Sequence, residues 1–318
     1  MGLVRILLPL PRAAAKWAPE KGGPLLGAAL SSCVTPSWAG LPPPSPARRL
    51  AWAEEAVEVY RGTADTEGLS RALALRAHAL LLSGRFEEAG TAATAVPGEA
   101  SRALTAFVGD VRAQALAGIG RTEEAVTVAH ACVEAYRVLP SLDRRDRALG
   151  SLPGALRTYG MVLAAAGRRE ESVAVYEECA ALLAAMSLRE LAHVELVRPQ
   201  VLSELVGVLR ALGRYEDALG VGPEAREALR GPLAWAVPEI VLPLRVRLLV
   251  DLARCHSATG DPAEAGACAV EAVAEARRPH GVGELTSALD CLADVLGELG
   301  QTEKESSTRR ELAQLRDT

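Results

Sequence analysis

The stretch Leu205-Val206-Gly207-Val208-Leu209-Arg210-Ala211-Leu212-Gly213-Arg214-Tyr215-Glu216-Asp217-Ala218 decides how this chain folds. An apolar run ends at a glycine, and a charged stretch follows that leads into a second alanine-rich run. A glycine at a helix end turns the chain through a left-handed conformation at little cost. Acidic residues just beyond it fall in the first turn of the next helix and complement its dipole. The phrase recurs at Gly84, Gly120, Gly167, Gly260 and Gly300, so that successive glycines lie 36, 47, 46, 47 and 40 residues apart. Seven residues before each glycine stands Ala77, Ala113, Gly160, Val206, Ala253 or Ala293; five after it comes Ala89, Ala125, Ser172, Ala218, Ala265 or Glu305. Small side chains at both places let two helices approach closely. Four residues before the glycine, Leu80, Leu116, Leu163, Leu209 and Leu296 fill the space beside that contact, and His256 is the exception. Periods in this range predict stacked helical hairpins, each burying its apolar face against its neighbours.

This grammar resembles the tetratricopeptide repeat family over residues 47–316. Gly213-Arg214-Tyr215-Glu216-Asp217-Ala218 and Gly84-Arg85-Phe86-Glu87-Glu88-Ala89 come close to the family's turn. The family's helix-ending proline is absent at its usual distance, and the intervals of 46 and 47 exceed its period of about 34. Such lengthened units are similar to those of kinesin light chains and of bacterial arrays attached to signalling ATPases and regulators. The resemblance implies an all-α, right-handed superhelical solenoid of stacked antiparallel hairpins, six of them over 47–318. In the last unit Lys304, Glu305, Arg309 and Arg310 make a polar face, as a terminal cap needs. The composition, 49% hydrophobic but 3% aromatic, fits a core of Ala, Leu and Val. No segment shows the alternation of a strand.

Residues 1–46 read differently. Pro9, Pro11, Pro19, Pro24, Pro36, Pro42, Pro43, Pro44 and Pro46 predict that no continuous helix runs there. The segment reads as a disordered leader or as a wrongly assigned start. Pro9 cuts the run Ile6-Leu7-Leu8, which leaves no membrane span of about 20 residues. Leu30-Ser31-Ser32-Cys33 has the form of a bacterial lipoprotein cleavage box, but the apolar run before it reaches only from Pro24 to Leu30, and Glu20 stands where a basic flank belongs. A cytoplasmic protein is expected, with a lipid anchor at Cys33 the lesser alternative. Residues 47–61 read as the second helix of a repeat whose first helix is missing. Such an orphan exposes an apolar face carrying Trp52 and Tyr60, to be covered by the leader through Trp38 or by another chain, self-association included. Descent from a longer array is the third explanation.

Catalytic constellations fare poorly against this frame. The six cysteines form no C-x-x-C pair and no H-E-x-x-H occurs, so neither a zinc site nor a disulfide framework is expected. Cys132 and Cys179 stand twelve residues after their glycines, where other units carry Val96, Ala225, Ala272 and Leu312; they read as small core residues. Gly281-Val282-Gly283 lacks the third glycine of a dinucleotide fingerprint, and no nucleophile elbow or Walker loop is present. Neither an enzyme nor a cofactor is expected. A net charge of −5 argues against nucleic acid, whose binding requires phosphate neutralisation. Arg137, Arg144, Arg145 and Arg147 are interrupted by Asp143 and Asp146 and read as a solvated loop.

What remains is the surface. In the family resembled, the first helix of each hairpin lines a concave groove, and helical geometry returns steps of three and four residues to one face. Those positions hold Arg71 and His78, then Asp110 and Gln114, then Arg157 and Thr158, then Ser203, Glu204 and Arg210. Arg247, Asp251 and Arg254 follow, and Asp290 and Asp294 close the series. An arginine pair on one helix face can hold a carboxylate or phosphate through forked hydrogen bonds. The plainer reading pairs Arg247 and Arg254 with Asp251 and with Asp290 or Asp294, each exposed pair contributing under about 1 kcal/mol. The groove lacks the lysines and asparagines that a clamp for chaperone tails requires. The expected function is a non-catalytic adaptor that holds a peptide or helical segment of another protein in its groove. The alternative is a sensor solenoid that binds a signalling peptide or small ligand and changes its partner contacts.

Overall fold

A computed structural model describes residues 11, 13, 15–16, 19–34, 44–97, 100–139, 150–186, 196–230 and 237–316. The described residues are helical and contain no strand. They form α1 (Pro19–Val34), α2 (Pro46–Arg61), α3 (Thr66–Leu82), α4 (Phe86–Thr94), α5 (Arg102–Gly118), α6 (Thr122–Arg137) and α7 (Leu152–Ala165). These are followed by α8 (Arg169–Ala185), α9 (Val197–Ala211), α10 (Tyr215–Ala228), α11 (Pro238–Ala258), α12 (Pro262–Ala276), a 3-10 turn (Val282–Glu284), α13 (Leu285–Glu298) and α14 (Thr302–Arg316). Helices α1–α7 make one compact unit and α8–α14 a second.

One backbone design closes the six turns. Gly84, Gly120, Gly167, Gly213, Gly260 and Gly300 hold φ between 68° and 81°, a region that costs other residues about 1–2 kcal/mol. The residue after each glycine donates its N–H back to the carbonyl of Leu80, Leu116, Leu163, Leu209, His256 or Leu296 at 2.9–3.0 Å. The leucine expected for packing is therefore also the carbonyl that closes the helix in a Schellman cap. The linking residue then accepts from the position five beyond the glycine. Ala89, Ala125, Ala218, Ala265 and Glu305 donate to the carbonyls of Arg85, Arg121, Arg214, Asp261 and Gln301 at 2.9–3.1 Å. One residue thus ends a helix and opens the next. In three turns it is an arginine whose guanidinium reaches forward to Glu88, Glu124 or Asp217 at 2.5–2.7 Å.

The small residues sit where helices meet. Ala77, Ala113, Val206, Ala253 and Ala293 are 0% exposed, as are Ala89, Ala125, Ser172, Ala218 and Ala265. In the first unit α3 packs on α4, both pack on α5, and α5 and its partner α6 both pack on α7. In the second unit α8 packs on α9, α9 and α10 on α11, α11 and α12 on α13, and α13 on α14. Within each unit the hairpins therefore bury their faces against their neighbours, as the period predicts. On α14 only Thr308 and Leu312 are buried.

The leader departs from expectation. Pro19–Val34 is a helix with Pro24 inside it. Pro19 occupies the first position, where proline is tolerated because that N–H has no intrahelical partner. Pro24 removes one hydrogen bond close to the helix start, and the prolines after it begin only at Pro36. Burial of Leu26 and Leu30, one turn apart, offsets that loss: they pack with Ala56, Val57, Tyr60 and Ala72. Helix α1 lies against both α2 and α3. It takes the place of the missing first helix, so α2 is no orphan, and its Tyr60 face is covered by the same chain through Leu26 and Leu30. Trp38, the run Arg144 to Arg147 and the side chain of Cys33 lie outside the described residues. No described helix is long and apolar enough to cross a membrane.

Candidate functional site

Helices α3, α5 and α7 carry the first unit's share of the expected face. Arg71 is largely buried, its side chain 18% exposed, with Glu67 at 3.7 Å one turn earlier. His78 meets the ring of Phe107 edge-on at 5.5 Å. Burial, and secondarily the charge of Arg49, lower its pKa to about 4, so the imidazole is neutral in the fold. Asp110 and Gln114 share one face of α5: the Gln114 amide donates to Asp110 Oδ2 at 2.9 Å and to Thr158 Oγ1, on α7, at 3.2 Å. Burial pushes the Asp110 carboxyl up, against the pull of Thr158, Arg157 and Gln114. Its Oδ1 has no hydrogen-bond partner among the described residues. Four expected residues, Asp110, Gln114, Arg157 and Thr158, are thus brought together across two successive first helices. Thr158, expected on the exposed face, is 1% exposed.

The second unit's share lies on α9, α11 and α13. Glu204 accepts from the Tyr176 hydroxyl at 2.9 Å, while Ser203, expected to be exposed, is buried and donates to the Pro199 carbonyl at 2.8 Å. The charges of α11 do not pair as the spacing suggests. Asp251 binds Arg210 of the preceding hairpin at 2.6 Å. Arg247 faces Glu284 at 3.6 Å with its side chain 58% exposed. Asp290 and Asp294 turn to the last helix, meeting Arg316 at 3.6 Å and Arg309 at 3.1 Å. Arg254 is half-buried, and its charge acts on Asp251 as well. The physical reason lies in burial. Desolvation pushes the Asp251 carboxyl up, and the closest opposing charge is that of Arg210, so a partner from another hairpin outcompetes neighbours on its own helix. His256 is part-buried with Nδ1 3.8 Å from Asp261.

A network that the sequence did not reveal ties α10, α11 and α12. Arg226 meets Glu271 at 2.5 Å, and Arg245 meets Glu271 at 3.8 Å and Glu275 at 2.9 Å. Its bonded partners lie 26 to 45 residues apart along the chain, beyond any spacing rule. The cysteines Cys132, Cys179, Cys255, Cys268 and Cys291 are buried thiols. Burial raises Cys132 to about 12 and Cys255 and Cys291 to about 11, which leaves little thiolate to act as a nucleophile at neutral pH.

Each unit thus carries its own polar strip on successive first helices, linked at Gln114–Thr158 in the first and at Arg210–Asp251 in the second. Comparison with known proteins agrees with this architecture. No curated protein matches the sequence. Solved structures match at the level of the fold. The apo form of RapI aligns at 11% identity over 99% of this chain and 77% of that one, with a TM-score of 0.64. A Rap protein complexed with Competence and Sporulation Factor aligns at 12% identity over 93% and 75%, with a TM-score of 0.58. The nearly identical, kinesin-light-chain TPR-like repeats of Podosopora anserina align at 18% identity over 68% and 96%, with a TM-score of 0.52. The family model described as tetratricopeptide repeat matches residues 70–93, 153–178 and 246–271. The hairpins between them share the turn glycine, small-residue contact and Schellman bond, and the three matched segments are tetratricopeptide repeats.

Proposed function

We propose that this protein is a non-catalytic scaffold whose first-helix faces hold an extended or helical segment of a partner. The observation that carries the reading is the alignment of polar groups from one first helix to the next. Asp110 and Gln114 on α5 reach Thr158 on α7, and Arg210 on α9 reaches Asp251 on α11. A segment laid across stacked hairpins meets such groups at each step, and main-chain or side-chain hydrogen bonds then fix its register. Four of the buried thiols are pushed up by burial, so they do not compete as a chemical centre.

The sensor reading draws support from one comparison: the Rap structure similar in fold over 93% of this chain is complexed with a Competence and Sporulation Factor. In that version the segment is a short signalling peptide, and holding it favours one arrangement of hairpins over others. The test is site-specific photo-crosslinking in the native host. A benzophenone side chain is placed at Gln114 or Arg247 on the face, and at exposed Val270 on α12 as control. Discrete adducts at the first two positions and none at the third are expected. Their molecular mass separates a protein from a peptide. Adducts at Val270 alone, or at no position, would refute the docking face.

A further inference from the structure

One groove lies away from the first-helix strips. Helices α4 and α5 enclose about 330 Å³ between Phe86, Gly90 and Thr94 on one side and Arg112, Ala115 and Ile119 on the other. Arg112 stands two residues beyond Asp110, and successive helix residues turn by about 100°. The groove therefore opens on the side of α5 opposite the Asp110–Gln114 strip. Its floor is apolar: Gly90 faces the Ala115 methyl, and Ala115 and Leu116 are buried. Thr91 and Thr94 donate their hydroxyls to the carbonyls of Glu87 at 3.0 Å and Thr91 at 2.8 Å, so they ask nothing polar of an occupant. Phe86 opens α4 and Ile119 follows the last residue of α5, which places both at one end of the groove. They are 36% and 38% exposed. A Cβ at Gly118 would fall on the Phe86 ring, so the ring is seated against α5 and held at the surface.

The groove has room for one or two bulky apolar side chains, and the same face presents two. Apolar side chains exposed beside an apolar groove mark an interaction surface. The charges point to the occupant. Glu87 lines the groove from α4 and Arg112 from α5, and no ion pair joins them. The field of Arg112 also reaches Glu124, itself held by Arg121. A foreign segment of one charge sign gains at Glu87 or at Arg112 and loses at the other. A second copy related by a two-fold axis gains at both, because each residue meets its opposite twice. We propose that this face of the first unit joins two copies of the chain. Phe86 and Ile119 of each copy enter the groove of the other, and Glu87 of each meets Arg112 of the other. The contact is small and rimmed by charge, the pattern of a concentration-dependent dimer and not of an obligate one. It uses no residue of the first-helix strips.

Sedimentation velocity of the full chain over about 1 to 100 µM reads the association. The mass of the wild type should rise with concentration toward twice that of the chain. Glu87→Arg alone and Arg112→Glu alone each set like charges together twice, so each should associate at least about tenfold more weakly. An equimolar mixture of these two variants restores both pairs, since one variant is positive at both positions and the other negative at both. The mixture should associate as the wild type does. It is also the control for folding, because a variant that had lost its fold would not regain association on mixing. Ile119→Ser should weaken association, while Val270→Ser, exposed in the second unit, should leave it unchanged. A monomer at every concentration overturns the inference and leaves the groove to a protein of another sequence. A dimer indifferent to both charge reversals, or a mixture no more associated than its components, overturns it as well.

Discussion

His78 shows how much one half-buried side chain can couple this fold to pH. Its imidazole is held neutral with a pKa of about 4, against about 6.5 in an unfolded chain. Between those values the unfolded state binds the proton and the folded state does not, so falling pH draws the protein toward unfolding. The stability that neutral His78 contributes is complete above pH 6.5, declines through that window and is gone below about 4. A shift of this size corresponds to at most roughly 3 kcal/mol. His78→Leu keeps an apolar contact with Phe107 and removes the proton site. Thermal melts from pH 7 to pH 4 should show wild type losing stability more steeply than the variant, and parallel curves would refute this assignment of the titration. Asp110 carries the opposite sign, because burial raises its carboxyl. The comparison must therefore be made against the His78 variant and not on wild type alone.

At the scale of the element, α1 depends on how closely it can approach α2 and α3. An added Cβ at Gly27 or at Gly68 would fall on the ring of Tyr60, which is 5% exposed between the two helices. Gly27→Ala should cost about 1–3 kcal/mol by overpacking and loosen α1, seen as faster amide exchange in Leu26 to Leu30. Adding Tyr60→Leu should restore part of that protection; an unchanged Gly27→Ala would mean that the ring and the glycine do not meet. This contact also explains why α1 was illegible in the sequence. Helix-breaking is a local rule and the prolines satisfied it, whereas the compensation from Leu26, Leu30 and Gly27 comes from a partner some thirty residues away. The six turns were legible for the converse reason. Their glycine conformation, Schellman bond and small residues all act within about a dozen positions, and repetition made each one visible six times. The charge pairs again needed distance. Spacing on α11 pointed Asp251 at Arg247 and Arg254, while the structure gives it to Arg210, 41 residues away.

At the scale of the molecule, hairpins that touch only their neighbours should fail locally. Leu289 on α13 is 1% exposed, and α13 packs on α11, α12 and α14. Leu289→Ala removes buried methyl groups and leaves a cavity, at a cost of about 2–5 kcal/mol. In a domain with one shared core that cost would lower protection everywhere. In a stack, stability is close to a sum of hairpin and interface contributions, so the loss is confined to the helices that share the interface. Hydrogen exchange under native conditions should show faster exchange across α13 and α14 and the facing side of α12. Amides of α8 and α9, which belong to the same compact unit, should keep wild-type protection. Uniform acceleration across α8 to α14 would mean that the unit opens as a single body. A docked segment must then be held by a frame that moves as a whole. Local opening would instead let α13 and α14 yield while α8 and α9 stay closed.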